Sequence, residues 1–147
     1  MRIALGSDHA GYSLKQTIVD YLQTRDIAYS DFGTFCEAPV DYPDISFPVI
    51  QGVIAKEFDF GILICGTGVG VSMIANRFQE IRAALCSDPF TARCSREHNN
   101  ANILTLGSRV IGPGLALEIV EVFLQSSFKG GRHQRRLDKI RLLSANK

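Results

Sequence analysis

The residues able to do chemistry gather in a few short stretches, and the densest is Gly66-Thr67-Gly68-Val69-Gly70, with Cys65 directly before it. Alternate glycines let backbone N–H groups come close to an anion, and a helix opening after them adds a favourable dipole. No Lys-Ser/Thr pair follows, so the stretch is not a Walker A loop. It comes near a dinucleotide fingerprint, with Asp88 about 20 residues further on, but Val71 stands where that pattern wants Gly or Ala. A plain strand–turn–helix bend is the blander reading. A thiol at a helix start is a usable nucleophile or base, against which stands the ordinary role of a free Cys as a small buried hydrophobe. Cys36, Cys86 and Cys94 lack that setting and read as packing or incidental.

Two histidines sit in polar company, in Asp8-His9 and in Glu97-His98-Asn99-Asn100. Neither lies on an apolar stripe, so acid/base work or anion binding competes with a core role. Asp8 could orient His9, act as a base, or cap the helix that follows. His133 lies within Gly130-Gly131-Arg132-His133-Gln134-Arg135-Arg136 and reads as a solvated neighbour of the arginines. Residues 129–147 carry seven Lys/Arg against Asp138, a net +6 that leaves −5 for the first 128 residues of a chain at +1. A solvated helix face is the usual reading of such a tail, and a nucleic-acid patch is another. No aromatic residues interleave the arginines and no RNA-binding signature is present. Arg132 and Arg136, four apart, would share a helical face and could grip one phosphate together.

Something must hold these groups. At 147 residues and 46% hydrophobic with 21% charged, the chain is one globular domain's worth, able to bury a core without staples. That balance excludes a disordered or collagen-like chain. The four cysteines are 29, 21 and 8 apart, with no CxxC pair, which argues against structural zinc and against a disulfide scaffold. The N-terminus turns polar at Ser7-Asp8-His9, too early for a secretory signal, and the longest apolar run, Phe60 to Cys65, cannot span a bilayer. A cytoplasmic protein is the expectation.

Short apolar runs alternate with amphipathic segments, the pattern of a parallel sheet covered by helices. Strands are predicted at Arg2–Leu5, Ala28–Phe32, Phe60–Cys65, Arg82–Cys86 and Ile103–Leu106. A helix from Ser13 would bury Leu14, Ile18, Val19 and Leu22 and turn Lys15, Gln16, Asp20 and Gln23 to water. The next would carry Phe47, Ile50 and Ile54 inward, and a third would run through about Asn76. Asp88-Pro89 opens another, Pro113 begins one with Leu117, Val120 and Leu124, and a last short helix carries Leu137, Ile140 and Leu143. No repeat or linker divides the chain. Five βα units make a single Rossmann-like, doubly wound α/β domain over 1–147: three layers, a five-stranded parallel sheet and a C-terminal helical tail. Ligands in such folds sit at the carboxyl ends of the strands, where Asp8-His9, Cys65–Gly70, Ser87-Asp88 and Gly107-Ser108-Arg109 fall.

The stretches Gly6-Ser7-Asp8-His9-Ala10-Gly11, Asp41-Tyr42-Pro43, Gly61–Gly70, Ser95-Arg96-Glu97-His98-Asn99, Leu106-Gly107-Ser108-Arg109-Val110 and Gly130–Arg136 together resemble the type B ribose-5-phosphate isomerases of the ribose/galactose isomerase family. They run in family order from residue 2 to about 141. The resemblance implies interconversion of ribose 5-phosphate and ribulose 5-phosphate through a cis-enediolate, within the pentose phosphate pathway and without metal, nucleotide or other cofactor. It implies His98 for ring opening and Cys65 as the base at C2 and C1. Thr67 would hold the reacting end, Asp8 the sugar oxygens, and the Gly66, Gly68, Val69 and Gly70 amides an anion hole. Tyr42 and Asn99 would touch the sugar, and His9, Arg109, Arg132 and Arg136 the phosphate.

Some members use a Glu base a few residues into the following helix with Ser in place of Cys; Ser72-Met73-Ile74-Ala75-Asn76 offers no carboxylate here. Relatives include the paired subunits of galactose-6-phosphate isomerase, each lacking part of a site. This chain keeps Asp8, His9, Cys65, His98 and both tail arginines, so the resemblance implies a self-sufficient homodimer with the site shared across its interface. Arg132 and Arg136 would then act on the partner's substrate, and neither nucleic acid nor membrane would be a partner. On residues alone, a dinucleotide-binding oxidoreductase and an RNA-binding module are the competing classes. The first would show bound nicotinamide or flavin, the second salt-sensitive nucleic-acid binding.

Overall fold

Alternation along the central strands fixes the layers. In the computed structural model, which describes residues 1–144, β1 (Arg2–Ser7), β2 (Ala28–Asp31), β3 (Phe60–Cys65), β4 (Ala83–Leu85) and β5 (Ile103–Gly107) form one sheet. Its order is β2-β1-β3-β5-β4, with every pair parallel. Ile3, Leu5, Ile62, Ile64, Leu104 and Leu106 face α1 (Tyr12–Thr24), α4 (Pro89–Asn99) and α5 (Pro113–Gln125). Ala4, Leu63, Cys65 and Ile103 face α2 (Tyr42–Ile54) and α3 (Val69–Ala75). Period-two side chains on strands covered from both sides give this division directly. A sixth helix, α6 (Arg132–Ser144), packs against α4. The three-layer α/β expectation holds. Lys147, the last charge of the basic tail, lies outside the described residues.

Strand order reverses between β1 and β3, and in such sheets that reversal opens a crevice at the carboxyl ends. β1 and β5 run past their apolar stretches because the ladder continues, with Ser7 opposite Ile64 and Gly107 opposite Cys65. The edge strand β4 is shorter than predicted, since the Arg82 amide turns to Asn102 Oδ1 at 2.7 Å. Two side chains depart from their expected faces. Lys15, expected in water, is wholly buried, its Nζ 2.6 Å from Oδ1 of Asp31 at the end of β2. A charge enters a core only when paired in this way. Phe47 is 51% exposed and leans on Phe78. The inward stripe of α2 is Ser46, Val49, Ile50 and Val53 instead. Ile140 and Leu143 of α6 are also exposed, so the outer face of that helix is apolar and uncovered by this chain. No helix among the described residues is long and apolar enough to cross a membrane.

Candidate active site

The crevice between β1 and β3 is built from their two outgoing turns. After β1, Asp8 is buried and its Oδ1 accepts the Gly11 amide at 3.0 Å, capping a 3-10 turn over His9–Gly11. The capping role of Asp8 is therefore real, and its second oxygen is left for other work. After β3, the buried Cys65 Sγ accepts the Gly68 N–H at 3.1 Å. A sulfur carrying negative charge would thus meet a fixed donor. Thr67 is exposed and its hydroxyl oxygen accepts the Val69 amide at 3.3 Å. Arg109 follows β5, and its side chain lies over Gly66. Tyr42, in the first turn of α2, lays its ring against Gly70. Asp8, His9, Tyr42, Cys65, Gly66–Gly70 and Arg109 therefore meet at one end of the sheet.

Cys86 shows the contrast. Burial pushes its thiol up to about 11, with the Asp88 charge adding to the rise and a Ser95 hydrogen bond opposing it. That is a packing cysteine, as its sequence setting indicates.

The glycines of this loop answer to internal packing as well as to any ligand. Gly68 has φ of +78°, and a Cβ there would stand 2.9 Å from the Leu106 carbonyl carbon. The same squeeze appears from the other strand: a Cβ on Gly107 would be 2.6 Å from the backbone C and O of Thr67. Backbone atoms cannot swing aside. Gly107→Ala is expected to lower stability by about 1–3 kcal/mol through overpacking, read from denaturant midpoints. Gly114→Ala is the control: nothing lies within 4 Å of a Cβ there, so it should be neutral or slightly stabilising.

The other imidazole of interest lies elsewhere. In a parallel sheet each covering helix runs back towards the amino ends of the strands, so the last turn of α4 sits below, opposite the crevice. Asn100 O accepts Arg82 Nε at 2.7 Å, and Arg82 precedes β4. His98 and Asn99 end that helix. The His98 ring stacks flat on His133 of α6, with centroids 4.3 Å apart and planes 7° from parallel. Glu97 holds Lys129 at 2.6 Å beside them, and that contact lowers its carboxyl below the usual range. Arg132 and Arg136 are exposed on the same helix as His133 and form no ion pair among the described residues.

His133 corrects its sequence reading. It is 7% exposed rather than solvated. Burial lowers its pKa, and the positive neighbours His98, Arg132, Arg136 and Lys129 lower it further. The apolar stripe assigned to the last helix gave no such signal, since Ile140 and Leu143 on it are exposed.

The candidate residues thus fall into two groups at opposite ends of the sheet. From the β5 end at Gly107 back to Asn102 the backbone covers about 15 Å at a strand's rise per residue, and α4 spans about the same at a helix's rise. The Cys65–Gly70 loop and His98 sit at the two ends of that distance.

The model of the ribose/galactose isomerase family matches residues 3–140. Ribose-5-phosphate isomerase B of Escherichia coli (strain K12) is 48% identical over 139 residues, covering 95% of this chain and 93% of that protein. Among solved structures, ribose-5-phosphate isomerase B of Clostridium thermocellum superposes with a TM-score of 0.97 at 50% identity, covering 99% of both chains. The Mycoplasma genitalium ribose-5-phosphate isomerase B with bound ribulose-5-phosphate gives 0.93 at 43% identity, covering 99% of this chain and 97% of that one.

Proposed function

The chain belongs to the ribose/galactose isomerase family, in its type B ribose-5-phosphate isomerase branch, and from that premise we propose how its residues divide the interconversion of ribose 5-phosphate and ribulose 5-phosphate. The observation that carries this reading is Cys65, its sulfur under the Gly68 amide in a glycine loop that faces Asp8 and His9 across the β1/β3 crevice.

The substrate reaches the enzyme mostly as a closed furanose, so a proton must leave the anomeric hydroxyl and one must reach the ring oxygen. His98 serves both. In the open aldehyde the C2–H is acidified by the neighbouring carbonyl, and the Cys65 thiolate removes that proton. The electron pair moves through C1–C2 to the carbonyl oxygen, giving a cis-enediolate whose charge is held by the Gly66–Gly70 amides and by Thr67. Fixed donors at developing charge are worth several kcal/mol in such steps. The proton on the C2 oxygen passes to the C1 oxygen, with Asp8 as the near carboxylate. Cys65 then returns its proton to C1. His9 and Arg109 hold the phosphate, and Tyr42 and Asn99 contact the sugar.

His98, Asn99, Arg132 and Arg136 lie too far from Cys65 to join it in one chain. A two-fold dimer that sets the lower end of one chain on the crevice of the other completes two equal sites, since an isologous contact repeats each pairing. Exposed apolar side chains lie at the carboxyl end of the sheet at Val69, Leu85, Phe90 and Val110, and on α6 at Ile140, Leu142 and Leu143. Those are the surfaces such a dimer would bury.

The test is conversion of ribose 5-phosphate by the purified protein with EDTA and no added cofactor. Ketose formation supports the reading. Silence with ribose 5-phosphate but turnover of allose 6-phosphate would move the substrate to a longer aldose phosphate. Silence with both would overturn it.

A further inference from the structure

His9 is a phosphate ligand in the reading above, and the structure adds which of its nitrogens is free to serve. The backbone N–H of Val40 donates to His9 Nδ1 at 3.3 Å in a partly buried setting. An amide N–H can only donate, so Nδ1 must present its lone pair, and in the neutral ring the proton then sits on Nε2. We propose that Val40, through its main chain, is a positioning residue that fixes His9 as the Nε2–H tautomer, aiming a hydrogen-bond donor at the substrate phosphate. Nothing in the side chain of Val40 is required.

The placement of that amide is not left to chance. Val40 ends a segment without regular structure between β2 and α2. The segment is tied at its start to β1: the Ser7 amide donates to Gly33 O at 2.7 Å, and the Thr34 amide to Ser7 O at 2.6 Å. The Gly33 amide also donates to Asp31 Oδ1 at 2.9 Å, and Asp31 is held by the buried Lys15. At its far end Asp41 is the N-cap of α2. A part-buried ion pair between α1 and β2, outside the catalytic groups, thereby anchors the segment that sets a ring in the crevice. With Nδ1 occupied, the ring's only free donor is Nε2–H.

Three variants and one spectrum test this. Long-range 1H–15N correlation spectra of the imidazoles, with the His9 signals assigned by their loss in His9→Asn, should show the Nε2–H pattern in the wild-type protein. Val40→Pro deletes the donor, with a fixed φ as its other backbone effect, and should give a mixture of tautomers, whereas Val40→Ala should match wild type. KM for ribose 5-phosphate, and the inhibition constant for inorganic phosphate, should rise on the order of fivefold in Val40→Pro with kcat within about twofold, the size of one hydrogen bond. An Nδ1–H pattern in the wild type overturns the proposal whatever the variants do. Weakened phosphate binding in His9→Asn with no change in Val40→Pro overturns it alone. Unchanged phosphate binding in His9→Asn removes His9 from the phosphate, and the proposal falls with that reading.

Discussion

Cys65→Ala is expected to lower kcat for ribose 5-phosphate by about a thousandfold or more, within the range that a positioned acid/base group contributes, while inorganic phosphate still binds with near wild-type affinity. The two effects separate because the sulfur lies in the glycine loop after β3, whereas the proposed phosphate ligands His9 and Arg109 follow β1 and β5. Among the described residues the sulfur's hydrogen-bond partner is the Gly68 amide, and loss of the sulfur leaves that amide without its acceptor. Cys65 packs in the core with α2 and α3, and trimming it to Ala should cost about 1–3 kcal/mol for the amide left unsatisfied, lowering the melting curve without unfolding the chain. Exchange supplies a sharper reading than turnover. In deuterium oxide the wild-type protein should place solvent deuterium at C1 of ribulose 5-phosphate, because the base removes and restores that proton. Cys65→Ala should not. Near-normal exchange in that variant would take Cys65 out of the role and leave the amide loop as an anion hole for another base.

The layered sheet was legible because buried parallel strands are continuous apolar runs and their helices keep a 3.6 spacing. Phe60–Cys65 carries both signals, apolar throughout and ended by glycines, and the structure agrees with it to the residue. What was not legible depends on partners distant in sequence. Lys15 on an amphipathic stripe looks like a solvent-facing residue, and only the return of β2 beside α1 brings Asp31 to it. His133 sits beside an apolar stripe that is itself exposed, and its burial comes with stacking on a ring 35 residues earlier. Gly107 read as one of the residues at the ligand-facing end of its strand, and the structure adds that it lets the neighbouring strand's loop pass within van der Waals reach. Within the site, residue types pointed to the chemistry and topology distributed them. That the end of α4 faces away from the end of β3 follows from the parallel topology already predicted, whereas which side chains meet at each end needs the sheet.

That distribution makes a strong claim about mixtures of subunits. If the site draws Cys65 from one chain and Arg132 and Arg136 from its partner, two dead variants should restore one another. Cys65→Ala alone has no base at either site. The double variant Arg132→Ala and Arg136→Ala has no tail grip at either site, and its kcat/KM should fall by about a hundredfold or more, since each charge-assisted contact to phosphate is worth about 1.5–3 kcal/mol. Dissociated and re-paired at equal amounts, half of the dimers would be mixed. Each mixed dimer holds one site with both defects and one with neither, so about a quarter of wild-type activity should return in a two-fold assembly. If both parts of the site came from the same chain, every site in the mixture would carry one defect or the other, and nothing would return. The exposed apolar stripe of α6 sets the second requirement. Replacing Ile140 and Leu143, which are 59% and 73% exposed, with Glu should weaken pairing, so activity should fall on dilution while the isolated chain keeps its fold. Full activity at high dilution in that variant, with a monomeric sedimentation profile, would show that one chain suffices, and the distance between Cys65 and His98 would then have to be closed by some other movement of the chain.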